Sequence, residues 1–110
     1  MTAKEFAKKH NMELLAGDGE KDIKSVYCCD LLSIVMGRAP EDCGWATVMG
    51  NVNAVAVAVL AGVSCILLAE GMPLDAEALK RAQEQNVSVI GTSLPVYEAA
   101  RLLGDDISEK

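Results

Sequence analysis

From residue 45 onward, short β-compatible runs alternate three times with helical stretches of about ten residues, and nothing else in the chain constrains the fold as strongly. The predicted order is strand 45–49, helix 53–61, strand 65–69, helix 75–85, strand 88–91 and helix 95–103. A strand lying parallel to its predecessor needs a crossover of about a dozen residues, and each interval supplies one. The pattern therefore predicts an α/β fold, a three-layer α/β/α sandwich whose mainly parallel sheet has right-handed crossovers and helices on both faces.

The stretch Val55-Ala56-Val57-Ala58-Val59 alternates with period two and fits a strand by pattern alone. Three features favour a helix. Alanine is the best helix former, Asn51 or Asn53 can cap it, and Gly62 stands where a helix stops. A helix apolar all round must be buried on more than one side, so it is either central or shared with a second subunit. The helix at 75–85 is the opposite case: Ala78, Leu79 and Ala82 form one stripe, and Glu77 and Arg81 are spaced for a surface i,i+4 pair.

Before residue 45 the signals are local. Thr2 and Glu5 fit a capping box for a first short helix carrying Ala3, Phe6, Ala7 and His10. An edge strand follows at 12–16, ended by the turn cluster Gly17-Asp18-Gly19, and a second strand at 25–29. Asp30 is placed to cap a helix at 31–37. At 110 residues, one domain spanning 1–110 is expected.

Composition narrows the function. The chain is 51% hydrophobic but only 4% aromatic, so Val, Leu, Ile, Ala and Met must build the core. A formal net charge of −6 argues against phosphate-backbone recognition, and no nucleic-acid partner is expected. The longest apolar stretch, 54–61, is roughly half of the ~20 residues that cross a bilayer, and no secretory signal opens the chain. A cytoplasmic protein without membrane contact is expected, with reduced thiols at Cys28, Cys29, Cys43 and Cys65.

In an open parallel sheet, ligands bind beyond the carboxyl ends of the strands. Those loops carry Cys29-Asp30, Gly50-Asn51-Val52-Asn53, Glu70-Gly71-Met72 and Thr92-Ser93. The candidate ligand-binding residues are accordingly Asp30, Gly50, Asn51, Asn53, Glu70, Gly71, Thr92 and Ser93. Gly50 permits a close turn, while Asn51 and Asn53 flank a helix N-terminus that attracts anions. The same asparagines, and Ser93, also suit plain capping. Asp30 and Glu70 could pair for acid–base work or a hard metal; the plainer reading makes Asp30 a cap and Glu70 a solvated loop residue.

No G-x-x-x-x-G-K-[ST] or G-x-G-x-x-G motif is present, so nucleotide-driven phosphoryl transfer has no machinery and no cofactor is expected. His10 ends the first helix, where a cation meets the negative pole of the dipole. Four cysteines match the ligand number of a tetrahedral site, but no C-x-x-C occurs and adjacent Cys28 and Cys29 on a strand face opposite ways. Cys65 reads as a small buried hydrophobe, and Cys29 or Cys43 is a reactive thiol only if exposed.

Tyr27-Cys28-Cys29-Asp30-Leu31-Leu32-Ser33-Ile34-Val35-Met36, Asn53-Ala54-Val55-Ala56-Val57-Ala58 and Ile66-Leu67-Leu68-Ala69-Glu70-Gly71 together resemble the DRTGG domain over almost the whole chain. That domain is similar to the N-terminal domain of HPr kinase/phosphorylase, and the resemblance implies a MurF/HPr kinase N-terminal-domain-like fold. It occurs as a regulatory module in phosphotransacetylases and some CBS-domain proteins, and small stand-alone members are encoded near iron-only hydrogenase and sensor-kinase genes. The resemblance implies a homodimer that regulates or scaffolds, without catalytic residues of its own. Where the name-giving motif would fall, this chain reads Asp22-Ile23-Lys24-Ser25-Val26, so the Thr-Gly-Gly turn is absent and no ligand role is carried over from it.

The expected function is a non-enzymatic regulatory or protein-interaction module, homodimeric, with a small anionic or nucleotide-like ligand at the loops named above. The alternative is a thiol-based redox or iron-sulfur accessory protein acting through Cys28, Cys29 and Cys43. A small enzyme using Asp30, Asn51 and Glu70 ranks last.

Overall fold

Five strands form one sheet in the order β1-β5-β4-β3-β2, and this order follows from how the parallel strands are added. The computed structural model describes residues 1–108. Its elements are α1 (Ala3–Lys9), β1 (Glu13–Ala16), β2 (Ser25–Cys28), α2 (Leu32–Arg38), β3 (Cys43–Thr47), α3 (Val52–Ala61), β4 (Cys65–Leu68), α4 (Ala76–Glu84), β5 (Val89–Gly91) and α5 (Val96–Ser108).

Strands β2, β3, β4 and β5 join one after another, each parallel to the last and always on the same side. Right-handed crossovers taken repeatedly in one direction place every connecting helix on the same face. One core accordingly gathers Val35 of α2, Ala54, Val55, Val57 and Ala58 of α3, and Ala78 and Ala82 of α4 over Trp45, Ile66, Leu68 and Val89. The opposite face is left to the two terminal helices: Ala3, Phe6 and Ala7 of α1 and Ala99, Ala100 and Leu103 of α5 cover Ala46, Cys65, Leu67 and Ile90. The three-layer α/β/α fold is therefore as expected, and the winding direction decides which helices form each layer.

The Val/Ala tract is a helix. Asn51 Oδ1 accepts from the Ala54 amide at 2.9 Å, and Gly62 ends the helix in the left-handed conformation at φ 71°. Its outer face is open, however, with Val59 44% and Leu60 71% exposed. The capping box of α1 is complete, Thr2 Oγ1 accepting from the Glu5 amide while Glu5 accepts from the Thr2 amide. On α4 the Arg81 guanidinium lies 3.8 Å from Glu84, one turn on, in place of the expected Glu77 partner.

Strand β3 starts and ends two residues before its predicted span. Its register is set by neighbours, Ser25 opposite Cys43 and Gly44 opposite Cys65. Gly44 has a packing reason: a Cβ there would meet Leu103 Cδ2 at 2.5 Å, so any larger residue would require the buried Leu103 side chain of α5 to shift. Helix α5 itself runs past Gly104 to Ser108, beyond the predicted stop at 103, because the following turn is anchored. Buried Asp106 accepts from Lys9 Nζ at 2.7 Å through Oδ1 and lies 2.7 Å from His10 Nε2 through Oδ2, fastening α5 to the end of α1.

Strand β1 pairs antiparallel with β5 at one edge, whereas β2 forms the other edge. Residues 17–24 must therefore cross the whole amino-end rim of the parallel strands. They are pinned as they pass each one: Gly19 N donates to Ser88 Oγ at 2.9 Å, Ser64 Oγ donates to the Asp22 carbonyl at 2.5 Å, and Lys24 N donates to the Asp42 carbonyl at 2.9 Å. Ile23, 2% exposed, is buried into the α1–α5 core as the strap goes by.

Two stability predictions follow from these ties. Ser64→Ala removes the middle pin of the strap, and urea unfolding is expected to show a loss of about 1 kcal/mol with an unchanged slope. Burial alone raises the Asp106 carboxyl, but hydrogen bonds and charge from Lys9 and His10 outweigh it and hold the group below its ordinary range. A carboxylate with a depressed folded-state pKa stabilises above its unfolded value near ~4 and loses that contribution as pH falls further. Asp106→Asn is therefore expected to be less stable at pH 7 and to show a flatter decline below pH ~4 than the wild type, read from urea midpoints across the series.

Candidate functional site

Because β2 to β5 all run the same way, the loops after Cys28, Thr47, Leu68 and Gly91 lie along one rim. The candidate residues do occupy that rim, yet they do not converge. From β2 to β5 is three strand spacings, about 14 Å, so Asp30 and Thr92 stand at opposite ends of it. Each half of the rim has a different use.

The β2–β3 half is structural. Asp30 does not cap α2, whose N-cap is Leu31 without a side-chain hydrogen bond. Its Oδ1 instead accepts from Thr47 Oγ1 at 2.7 Å and from the Val48 amide at 3.0 Å, tying the ends of the two strands together. The physical reason is burial: Thr47 is fully buried, and its hydroxyl needs an acceptor more than an exposed helix start does. The adjoining Trp45 Nε1 donates to the Cys29 carbonyl at 2.9 Å. Gly50 is a packing residue, since a Cβ there would run into the Pro73 carbonyl oxygen, and its own carbonyl accepts from the Asp75 amide at 2.9 Å. Asn51 is the α3 cap, and Asn53 is an exposed residue of the first turn of α3.

Glu70 stands at the β4 end with φ 61°, and its Oε2 accepts from the Val96 amide at 3.3 Å. It is thus not a merely solvated loop residue; it supplies the negative charge favoured at the N-terminus of α5. The backbone beside it is stitched to the next loop, Glu70 N to the Leu94 carbonyl and Gly71 N to the Thr92 carbonyl, both at 2.9 Å. Thr92 rather than Ser93 makes the local turn, its Oγ1 accepting from the Leu94 amide at 3.2 Å.

The concave part of the rim lies where β5 meets β1. A cleft of about 510 Å³ is lined by Gly71, Thr92 and Ser93 together with Glu13, Leu15 and Leu74. A second depression of about 430 Å³ shares Glu13, Gly91, Thr92 and Ser93 and continues to His10 and Leu102. Three of the expected residues, Gly71, Thr92 and Ser93, therefore meet at a cleft; Asp30, Gly50, Asn51 and Glu70 serve the scaffold, and Asn53 is exposed on α3. Glu13, His10 and the β1 wall were not anticipated. Only the antiparallel docking of β1 against β5 brings the start of that strand to the carboxyl-end rim, and no local pattern in residues 10–15 signals it.

The thiols are dispersed. Burial pushes the Cys43 thiol up to about 11 and the Cys65 thiol up to about 12, and both are fully buried, so Cys43 is not an exposed reactive thiol. Cys28 is exposed at the strand end and is raised by partial burial and by the nearby Asp30 charge. Among the described residues no group of three or more His, Cys, Asp or Glu could hold a metal ion, and no helix is long and apolar enough to cross a membrane.

The DRTGG domain family matches residues 7–105. The chain belongs to that family. A similar solved structure is that of the CBS and DRTGG domains of the regulatory region of Clostridium perfringens pyrophosphatase, in complex with its activator diadenosine tetraphosphate. The two superpose with a TM-score of 0.75 at 16% identity, over 93% of this chain and 45% of the other, so the likeness is one of fold. Comparison with curated proteins gives no match. Within this DRTGG domain, the segment 22–26, where the name-giving turn was expected, runs from the strap on the amino-end rim into the start of β2, away from the cleft.

Asp30→Ala should leave the buried Thr47 hydroxyl without its acceptor and cost about 1–3 kcal/mol in urea unfolding. A variant as stable as wild type would show that the carboxylate is free for another role.

Proposed function

We propose that this DRTGG domain is a non-catalytic regulatory module that senses a small nucleotide-like ligand in the cleft between β1, the β4–α4 loop and the β5–α5 loop, and that it works as a homodimer. The observation that carries the reading is the division of labour along the rim. Its polar residues are committed to structure at Asp30, Asn51, Glu70 and Asp75, whereas Thr92 and Ser93 front an open cleft of ligand size. The regulatory assignment is supported by family membership and by the pyrophosphatase neighbour, a regulatory region with a nucleotide activator.

Self-association is supported by the outer faces of α2 and α3. Among the described residues, five of the seven exposed large hydrophobic side chains lie on these adjoining helices or the residue before α2: Leu31, Ile34, Met36, Val59 and Leu60. Exposed apolar side chains concentrated on adjoining helices commonly mark an interface, and a two-fold dimer would cover them with its own copy. Such a dimer would give a ligand-dependent change at the rim a second subunit to act on, or a regulatory protein partner to bind.

Two measurements on the full chain test the proposal. Titration with ATP and with diadenosine tetraphosphate, followed by amide NMR, should move Gly71, Thr92 and Ser93 saturably, and Thr92→Val should weaken binding about three- to tenfold. Flat titrations at millimolar nucleotide would overturn the sensing role. Light scattering at micromolar concentration should report a dimer that Leu60→Glu dissociates, and a monomeric wild type would overturn the assembly.

A further inference from the structure

The second depression beside the cleft has chemistry of its own. It opens across the Gly91–Ser93 segment from the first cleft, above Met12, Leu94 and Leu102, residues that pack on the α1–α5 layer. Its polar wall consists of His10, Asn11, Glu13, Thr92 and Ser93. No lysine or arginine lines it, and Lys9, next in the chain to His10, has its Nζ on Asp106.

His10 is held there with unusual firmness for a surface histidine. Its side chain is 18% exposed, its Nε2 lies 2.7 Å from Asp106 Oδ2, and its ring stacks at a tilt on buried Phe6 with centroids 4.8 Å apart. With Nε2 engaged by the carboxylate, the tautomer and the ring plane are fixed. Among the described residues Nδ1 makes no hydrogen bond, so it stays available to a hydroxyl, which can either donate to it or accept from it. Around it stand an amide at Asn11, a carboxylate at Glu13 and the hydroxyls of Thr92 and Ser93, a set rich in acceptors and poor in cations.

We infer that this depression is a subsite for the uncharged, hydroxyl-bearing part of a ligand, of the class of a ribose or a cyclic polyol, with His10 as its oriented hydrogen-bonding group and Asp106 as the positioning residue behind it. The Glu13 carboxylate accepts from O–H donors and repels a phosphate, and the open His10 nitrogen suits a hydroxyl in either sense. Leu94 and Leu102 give the apolar floor against which a sugar ring packs. The inference rests on the small-ligand reading of the rim and assigns to this side of it the neutral end of the ligand.

The test is an amide NMR titration of the full chain with adenosine, uridine and myo-inositol in turn, and with inorganic phosphate as the charged control. At least one neutral probe should shift His10, Asn11, Thr92 and Leu102 saturably. His10→Gln, which can still donate to Asp106, should weaken that binding about three- to tenfold. Asn11→Gly provides a variant free of folding cost, since Asn11 sits at φ 60° where glycine is at ease, and it should weaken binding similarly with no fall in urea midpoint. Neutral probes that leave these residues unmoved at millimolar concentration, or phosphate alone moving them, would overturn the inference. If ATP binds while His10→Gln and Asn11→Gly leave its affinity unchanged, the subsite fails and the rim reading stands; if neither ATP nor any neutral probe binds, both fail.

Discussion

The handedness of the β–α–β crossover governs this molecule. Four parallel strands laid down in one direction commit α2, α3 and α4 to a single face, and the opposite face would be bare apolar surface without help from outside the repeat. The two chain ends provide it. Helices α1 and α5 bury Phe6 and Leu103 on that face, and the Lys9–His10–Asp106 cluster holds the two helices to each other. A buried carboxylate with two basic partners is costly to break on one side only, which makes it a firm fastening between segments far apart in sequence.

The same constraint creates the strap and the cleft. Since β1 and β2 sit at opposite edges, the chain between them has to traverse the amino-end rim, where the backs of β5, β4 and β3 hold it through Ser88, Ser64 and Asp42. Because β1 then runs against the parallel strands, its beginning arrives at the carboxyl-end rim beside the end of β5. The concavity beside Thr92 and Ser93 follows from that reversal: one wall comes from an antiparallel edge strand, the others from loops that leave parallel strands. A fully parallel sheet would have placed the start of its edge strand at the far rim.

Capping explains how the rest of the rim is spent. Three of the helices that begin there meet side chains from their own or a neighbouring loop, Asn51 on α3, Asp75 on α4 and Glu70 on α5, so the positive ends of these helices are already answered. A ligand at this rim therefore gains most from shape, hydroxyls and the edge between β5 and β1. Around the cleft, Ser93 is the polar residue with the least structural duty.

Much of the architecture is legible along the chain, because periodicity, caps and stops act over a few residues. The helix of the Val/Ala tract, its Asn51 cap, its Gly62 stop and the capping box of α1 are all local inferences. Asp30, Glu70 and Gly44 show where such inference ends. Asp30 precedes a helix and looks like its cap, but the buried Thr47 hydroxyl 17 residues away is the stronger claimant. Glu70 looks solvated until α5 brings the Val96 amide to it, and Gly44 looks like an ordinary strand weakness until Leu103 fills the space above it. The sequence by itself determined which segments are strands and helices and in what order they alternate, since those depend on neighbours within a turn or two. Only the tertiary structure decided which polar groups are consumed and which remain open, because hydrogen-bond partners, burial and the meeting of β1 with β5 are set by contacts between residues tens of positions apart.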